Sequence, residues 1–278
     1  MSLKWKPVIE TAATITHSYS IRPTLRQVFY RLVARALIPN SESAYKRLST
    51  LTTEGRRDGT FPPFSDGTRT VRRVRSFKDK SSALHWLADI YREDRTVDQK
   101  EQLWVVVEKA TLSALAEDVA DDLGIPVVAL RGYESETLDR QVAREMLNDG
   151  RPARVFYLGD FDPSGEDIER NFIRHVRAVF PLVAIKRVAV TPAQITGLSL
   201  IENPGKSTDS RAKAFAAKHG KLVQVEVEAI DPTVLRRMLV DAIEPHLDRS
   251  HVDRVIEQED TVEADLRALA DAEEAEEE

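Results

Sequence analysis

The chain has 278 residues, no cysteine, a formal net charge of −6, and a make-up that is 31% charged and 6% aromatic. Disulfides and thiolate metal sites are therefore excluded, and the six scattered histidines offer no H-E-x-x-H spacing, so any metal has to be held by oxygen. No apolar run approaches the roughly 20 residues that span a bilayer, and the first residues lack the apolar core of a secretory signal, which leads to the expectation of a soluble cytoplasmic protein with no membrane partner.

The length suffices for two ordinary domains, each with its own core. Charge is spread unevenly: residues 1–80 hold 16 Lys and Arg against 6 Asp and Glu, a surplus of 10 positive charges that leaves the remainder at −16. A basic segment joined to an acidic one is the pattern of a polyanion-binding module attached to something else.

In chain order, Thr24 can cap a helix in which Leu25, Val28, Phe29, Leu32, Val33 and Ala36 recur at helical spacing, ending near Pro39. Ser41 can cap a second helix through about Glu54. The short connection, followed by Gly55-Arg56-Arg57-Asp58-Gly59 and a proline-rich stretch to Phe64, fits a helix-turn-helix or winged-helix arrangement. A further helix spans about 80–92, and the polar residues 93–102 read as a domain boundary. Beyond it the pattern alternates: strand 103–107, helix 112–123, strand 126–130, helix 138–147, strand 155–158, helix 168–179 and strand 185–190. That order calls for a mostly parallel α/β sheet covered by helices on both faces. Irregular chain to about Lys218, a strand at 223–227 and a helix at 232–243 follow, and the acidic residues 251–278 read as a solvated helix or disordered tail.

Ligands of open α/β sheets gather beyond the carboxyl ends of the strands. Glu108 directly follows Trp104-Val105-Val106-Val107, and Asp160 and Asp162 follow Val155-Phe156-Tyr157-Leu158 in the stretch Gly159-Asp160-Phe161-Asp162-Pro163-Ser164-Gly165. Two aspartates one residue apart point to the same side of an extended backbone. With Glu108 on a nearby strand, such hard oxygen donors suit Mg²⁺, with Mn²⁺ as a substitute. Gly165 and the start of the next helix can also offer N–H groups to a phosphate. A lone D-x-D decides nothing, because acidic residues after strands often only cap helices. A strand ending in Glu-Lys about fifty residues before a strand ending in Asp-x-Asp-x-x-Gly resembles the Toprim domain of topoisomerases, primases and some nucleases. The resemblance implies that Asp160 and Asp162 hold Mg²⁺, with Glu108 as a third ligand or as the acid/base group.

On the Thr24 helix Tyr30 falls outside the stripe of Leu25, Phe29, Leu32 and Ala36, with Arg26 four residues earlier. A guanidinium beside a phenol can favour the attacking phenolate; from the helix alone, an ordinary half-exposed tyrosine making a phosphate or interhelix contact is the favoured reading. The segment Leu25-Arg26-Gln27-Val28-Phe29-Tyr30-Arg31 resembles the catalytic-tyrosine helix of the topoisomerase VI A subunit and its meiotic double-strand-break relatives. The later stretches from Tyr157 to Gly165 and Glu226-Val227-Glu228-Ala229-Ile230 are similar to that family too, so the likeness runs through most of residues 20–245. It implies a winged-helix-like domain with a catalytic tyrosine (1–97), a Toprim domain with a C-terminal elaboration (98–250) and a tail (251–278). It further implies Tyr30 as nucleophile assisted by Arg26 and Glu108, DNA as partner, and a homodimer in which one subunit's tyrosine approaches the other's metal site. An ATPase partner subunit is a further possible partner, although nothing in this chain resembles one.

Lys46, Arg47, Arg56 and Arg57, together with Arg69, Arg72 and Arg73, form a candidate phosphate-contacting face with salt-sensitive, largely sequence-independent affinity. Asn203-Pro204-Gly205-Lys206-Ser207-Thr208 is not a P-loop, since Leu200 stands where the first glycine is required; a loop touching the DNA backbone fits it better. Trp5, Trp86 and Trp104 read as core residues. The leading expectation is Mg²⁺-dependent DNA cleavage through a phosphotyrosine link; the rivals are a hydrolytic Toprim nuclease and a non-catalytic DNA-binding protein.

Overall fold

The computed structural model describes residues 4–19, 22–65, 74–130 and 136–277. Its first three helices, α1 (Trp5–His17), α2 (Leu25–Ala34) and α3 (Glu42–Arg57), form a small core of their own. Thr24 caps α2 as expected: its side chain accepts from the Gln27 amide, and Gln27 reciprocates with the Thr24 amide at 2.7 Å. Ser41 caps α3, which runs to Arg57 and packs Gly55 under Phe61, where a Cβ would lie 2.8 Å from the Phe61 Cβ. Helix α1 lies outside the expected elements; its Val8, Ala12 and Ile15 recur at helical spacing and are buried against α2 and α3. Among the described residues no strand precedes the central sheet, so the wing of a winged helix has no counterpart in them.

Helix α4 (Lys80–Ile90), capped by Asp79, leads to the sheet. Its strands are β1 (Gln102–Val107), β2 (Val127–Ala129), β3 (Ala153–Leu158) and β4 (Val183–Ala189), all parallel in the order β2-β1-β3-β4. Between them lie α5 (Ser113–Ala120), α6 (Glu136–Asp149) and α7 (Pro163–Val179). Side chains alternate across the sheet. Leu103, Val105, Val107, Phe156 and Leu158 pack against α5, whereas Trp104, Val106, Val155 and Tyr157 meet Val142 and Met146 of α6 and Ile168 and Phe172 of α7. Each fully buried side chain of this kind stabilises by about 1.5–3 kcal/mol.

The segment expected to be irregular holds more structure: α8 (Pro192–Gly197), β5 (Asn203–Pro204) and α9 (Ala212–His219), with β5 antiparallel to a short β6 (Val223–Gln224). The expected strand over 223–227 is thus cut to two residues, because Val227–Ala229 turns into a 3-10 helix. Then α10 (Pro232–Ile243) covers the α5 face, and α11 (Arg249–Glu277) runs against α4. That acidic helix is not wholly solvated: Val252 and Ala270 are fully buried, and the buried Glu259 pairs with Arg95. Of the tryptophans, Trp104 lies in the core, Trp5 borders the N-terminal core, and Trp86 is half-buried against Phe77 and Arg75.

Candidate metal centre

The centre stands at the carboxyl edge of the sheet. The Glu108 amide donates to the Leu158 carbonyl at 2.9 Å, so the β1–β3 ladder runs one residue past both strands and sets Glu108 beside Gly159. There Glu108 Oε2 accepts from the Asp160 amide at 2.8 Å. Two glycines make room for this carboxylate. A Cβ on Gly159 would lie 2.4 Å from Tyr157 Cε1 and 2.9 Å from Glu108 Oε2; one on Gly165 would lie 2.4 Å from the Asp160 carbonyl oxygen and 3.0 Å from Glu108 Oε2. Glu108 is therefore held between the Gly159–Asp162 loop and the first turn of α7. Asp162 caps that helix, accepting from the Gly165 amide at 2.7 Å, so this amide is not free for a phosphate as the sequence reading had it.

A second arm reaches the site from far along the chain. Phe161 and Val225 exchange backbone hydrogen bonds of 2.8 and 3.0 Å, which draws Glu226 and Glu228 to the aspartate loop. The Val227 amide donates to Asp160 Oδ1 at 3.0 Å. Lys109 Nζ stands 2.7 Å from Asp160 Oδ2, 3.1 Å from Glu228 Oε2 and 3.6 Å from Glu226 Oε2, and the Thr111 hydroxyl donates to Glu228 Oε1 at 3.1 Å. Arg26 of α2 closes the group with a two-pronged ion pair to Glu226. From the outer side Arg187 Nη1 donates to the Gly159, Asp160 and Val190 carbonyls at 3.0, 3.0 and 3.2 Å, while its guanidinium lies over the Tyr157 ring and pairs with Glu169. The Tyr157 hydroxyl is fully buried with no partner among the described residues.

Five carboxylates are thus 4–9% exposed: Glu108, Asp160, Asp162, Glu226 and Glu228. Among the described residues only Lys109 and Arg26 are ion-paired to members of this group, so full ionisation would leave an excess of three negative charges there. The strain falls on Glu108, whose carboxyl is pushed up to about 7 by burial and then by Asp160. Asp162 is raised as well, chiefly by burial. Burial opposes the Lys109 ammonium, but the surrounding carboxylates of Asp160, Glu228 and Glu226 overcome it and hold its pKa above the usual lysine value.

An all-oxygen donor set with surplus negative charge fits a hard divalent cation such as Mg²⁺. The donor atoms of Glu108, Asp160 and Asp162 are not all gathered within 4.8 Å of one another; among the described residues only His85, Asp271 and Glu274, on α4 and α11, bring three that close. Since Mg²⁺ binds through one or two carboxylates plus water and phosphate, a pair from the centre suffices. Glu166 is turned away, paired with Lys218 and His219.

Tyr30, expected outside the core stripe, is instead 4% exposed and buried in the N-terminal core. Helix α2 is covered on more than one side, by α1, α3 and the Val227–Ala229 turn, so a single apolar stripe underestimates its buried surface. Leu25 is correspondingly only half-buried, and Ala36 is exposed past the helix end. The Tyr30 phenol sits with Arg26, Asn203 and Glu226; burial first, and then Glu226, raise its pKa, with Arg26 and Asn203 opposing. Arg26 Cζ lies 5.9 Å from the Tyr30 ring centroid and 5.8 Å from that of Tyr45. Tyr30, Arg26, Glu226, Lys109 and Asp160 therefore form one network within a single chain.

Of the basic residues, Lys46, Arg47 and Arg57 on α3 are exposed, Lys46 in an ion pair with Glu42 at 2.7 Å. Arg56 instead packs over Phe64 at 4.8 Å and bonds Thr53. Arg69, Arg72 and Arg73 lie outside the described residues. Site members that the sequence reading did not single out are Lys109, Glu226, Glu228, Arg187 and Tyr45. The paired acids of Glu226-Val227-Glu228, inside a stretch already similar to the family, were the visible signal for the two glutamates. No family model matches the chain, and no curated protein matches it.

Proposed function

We propose that this protein binds nucleic acid and breaks a phosphodiester bond at the Glu108–Asp160–Asp162 centre in a Mg²⁺-dependent reaction of the topoisomerase VI A type, with Tyr30 as nucleophile. One observation carries the reading: five buried carboxylates answered by two cations, at the sheet edge where α/β folds bind ligands. Such a centre is completed by a divalent cation together with an anionic substrate. Mg²⁺ bound there would neutralise charge on the reacting phosphate and orient it. Glu108, whose carboxyl is raised by burial and by Asp160, is suited to accept and return a proton. Arg26 beside the phenol supplies positive charge to an attacking phenolate, whose proton leaves to water. Attack would form a tyrosine–phosphorus bond and break the bond to the leaving sugar oxygen, which takes up a proton. The exposed Lys46, Arg47 and Arg57 of α3 supply sequence-independent backbone affinity. DNA as the substrate, a homodimeric assembly and a partner ATPase subunit belong to the same proposal and rest on the resemblance alone. No described helix is long and apolar enough to cross a membrane.

A specific observation favours a second reading, hydrolysis by activated water. Tyr30 is 4% exposed with its phenol pKa raised, whereas the Glu108 carboxyl is raised by burial and by Asp160 in the direction that suits a general base. Protein mass after incubation with end-labelled duplex and Mg²⁺ separates the two. A covalent adduct that Tyr30→Phe abolishes supports transesterification. Free ends with unchanged protein mass support hydrolysis, and no cleavage in Mg²⁺ or Mn²⁺ removes both.

A further inference from the structure

Residues 203–208 are no P-loop, yet their place in the fold gives them a use. Asn203 and Pro204 pair with Gln224 and Val223, and Gly205 brings the following loop close to β6: a Cβ there would meet the Leu222 side chain at 2.8 Å. Between this loop and the first turn of α7 lies a cavity of about 270 Å³ whose wall includes Asp162, Ser164, Lys206 and Gln224. Among the described residues the Ser164 hydroxyl, the Lys206 ammonium and the Gln224 side-chain amide have no hydrogen-bond or ion-pair partner. Of the other charges on the wall, Asp162 belongs to the carboxylate centre, and Asp209 and Arg211 are paired with each other. Arg211 grips Asp209 with two bonds of 2.7 Å and also reaches Asp167 at 3.0 Å. The start of α7 adds little by itself, since its Gly165 amide is taken by Asp162.

We propose that this cavity is a phosphate subsite that receives a phosphodiester of a bound nucleic-acid strand, with the Lys206 ammonium, Ser164 hydroxyl and Gln224 amide as its donors. Three donors without internal partners, one of them cationic, recognise a compact oxyanion. Asp162 is common to the cavity wall and to the carboxylate centre, so an anion held here lies at the rim of the place where a cation would bind. The inference rests on the proposed function for the identity of the strand that carries the phosphate, and on the cavity for the site itself.

The test is binding of a fluorescein-labelled 20-base-pair duplex in Ca²⁺, followed by anisotropy between 50 and 200 mM NaCl. Lys206→Ala, on an exposed loop, is expected to weaken binding severalfold for any sequence and to lower the slope of log K against log salt by about 1. Ser164→Ala combined with Gln224→Ala should weaken binding with the slope unchanged, and calorimetric Mg²⁺ affinity of the free protein should stay the same in all variants. Equal affinity and slope for Lys206→Ala and the parent would overturn the subsite while leaving the proposed function standing. If the parent binds no duplex, the proposed function fails and inorganic pyrophosphate decides the subsite. Line broadening of its ³¹P resonance that Lys206→Ala removes supports the subsite, and absence of broadening overturns it.

Discussion

Replacing Glu108 by glutamine isolates the electrostatic cost of the centre. The Glu108 carboxyl is pushed from 4.5 to about 7 by burial and by Asp160, so between those pH values the folded protein holds a proton that the unfolded chain has released. Folded protein binding more protons than unfolded means that stability falls as pH rises through this window and levels off above it. At about 1.4 kcal/mol per pH unit the loss amounts to about 3 kcal/mol. Asp162, raised chiefly by burial, acts in the same direction. A glutamine oxygen can still accept from the Asp160 amide but carries no charge at any pH. Glu108→Gln is therefore expected to match the parent near pH 4 and to exceed it by up to about 3 kcal/mol at pH 8. Urea unfolding followed by tryptophan fluorescence at the two pH values measures the difference. Millimolar Mg²⁺ at pH 8 should narrow it, because a cation that binds the ionised folded state stabilises the parent more than the variant. A variant less stable than the parent at pH 8, or a gap that does not change with pH, would refute the charge argument.

Lys109→Met removes the ammonium shared by Asp160, Glu226 and Glu228; each carboxylate keeps one other donor, so the loss at pH 8 should sit near the lower end of the range for a broken buried pair, about 3 kcal/mol in the same urea assay. Gly165→Ala puts a methyl 2.4 Å from the Asp160 carbonyl oxygen and should cost about 1–3 kcal/mol while weakening Mg²⁺ binding measured by calorimetry. Arg95→Met strands the buried Glu259 of α11, which Arg95 Nε meets at 3.0 Å, and should lower stability by about 3–5 kcal/mol, seen as a lower melting temperature. Mass analysis of Tyr30→Phe after exposure to duplex and Mg²⁺ is expected to show no protein–DNA adduct.

What the sequence disclosed and what it withheld divide along the range of the interactions involved. Helix α10 spans 232–243 as its apolar periodicity indicates, and Thr24 and Ser41 cap their helices because capping is decided within three residues. The strand–helix alternation of the sheet was equally legible, since a strand buried on both faces is a continuous apolar run. Helix α9 was not: Ala212 and Phe215 are its only buried residues, and Phe215 finds its partner in Phe161, 5.1 Å away between ring centroids but distant in sequence. Glu226 and Glu228 stood out only as part of a family-like stretch, not as members of the centre. Their membership of the centre depends on the Phe161–Val225 pairing, which neither segment advertises locally. Tyr30 shows the limit of a helical wheel, which knows one buried face when the folded helix has several neighbours.

The Arg26–Glu226 pair links the N-terminal helices to the sheet edge in a way that has energetic consequences. Glu226 is held from one side by Arg26 of α2 and from the other by Lys109, which in turn contacts Asp160. Further contacts fasten the same helices to the later chain: Tyr19 and Arg31 both reach Asp231, at 2.8 and 3.2 Å, and Asn40 donates to Asn203 at 2.6 Å. Lifting α2 would take one positive charge from a group that already has too few, so a cation added at the centre would be held more tightly with α2 away than with α2 in place. By reciprocity the added cation loosens α2 by the same free energy. Tyr30 lies on that helix and is buried by its docking. A cation at the carboxylate centre would therefore be coupled to exposure of the phenol through Glu226, with a sign that favours a freed tyrosine.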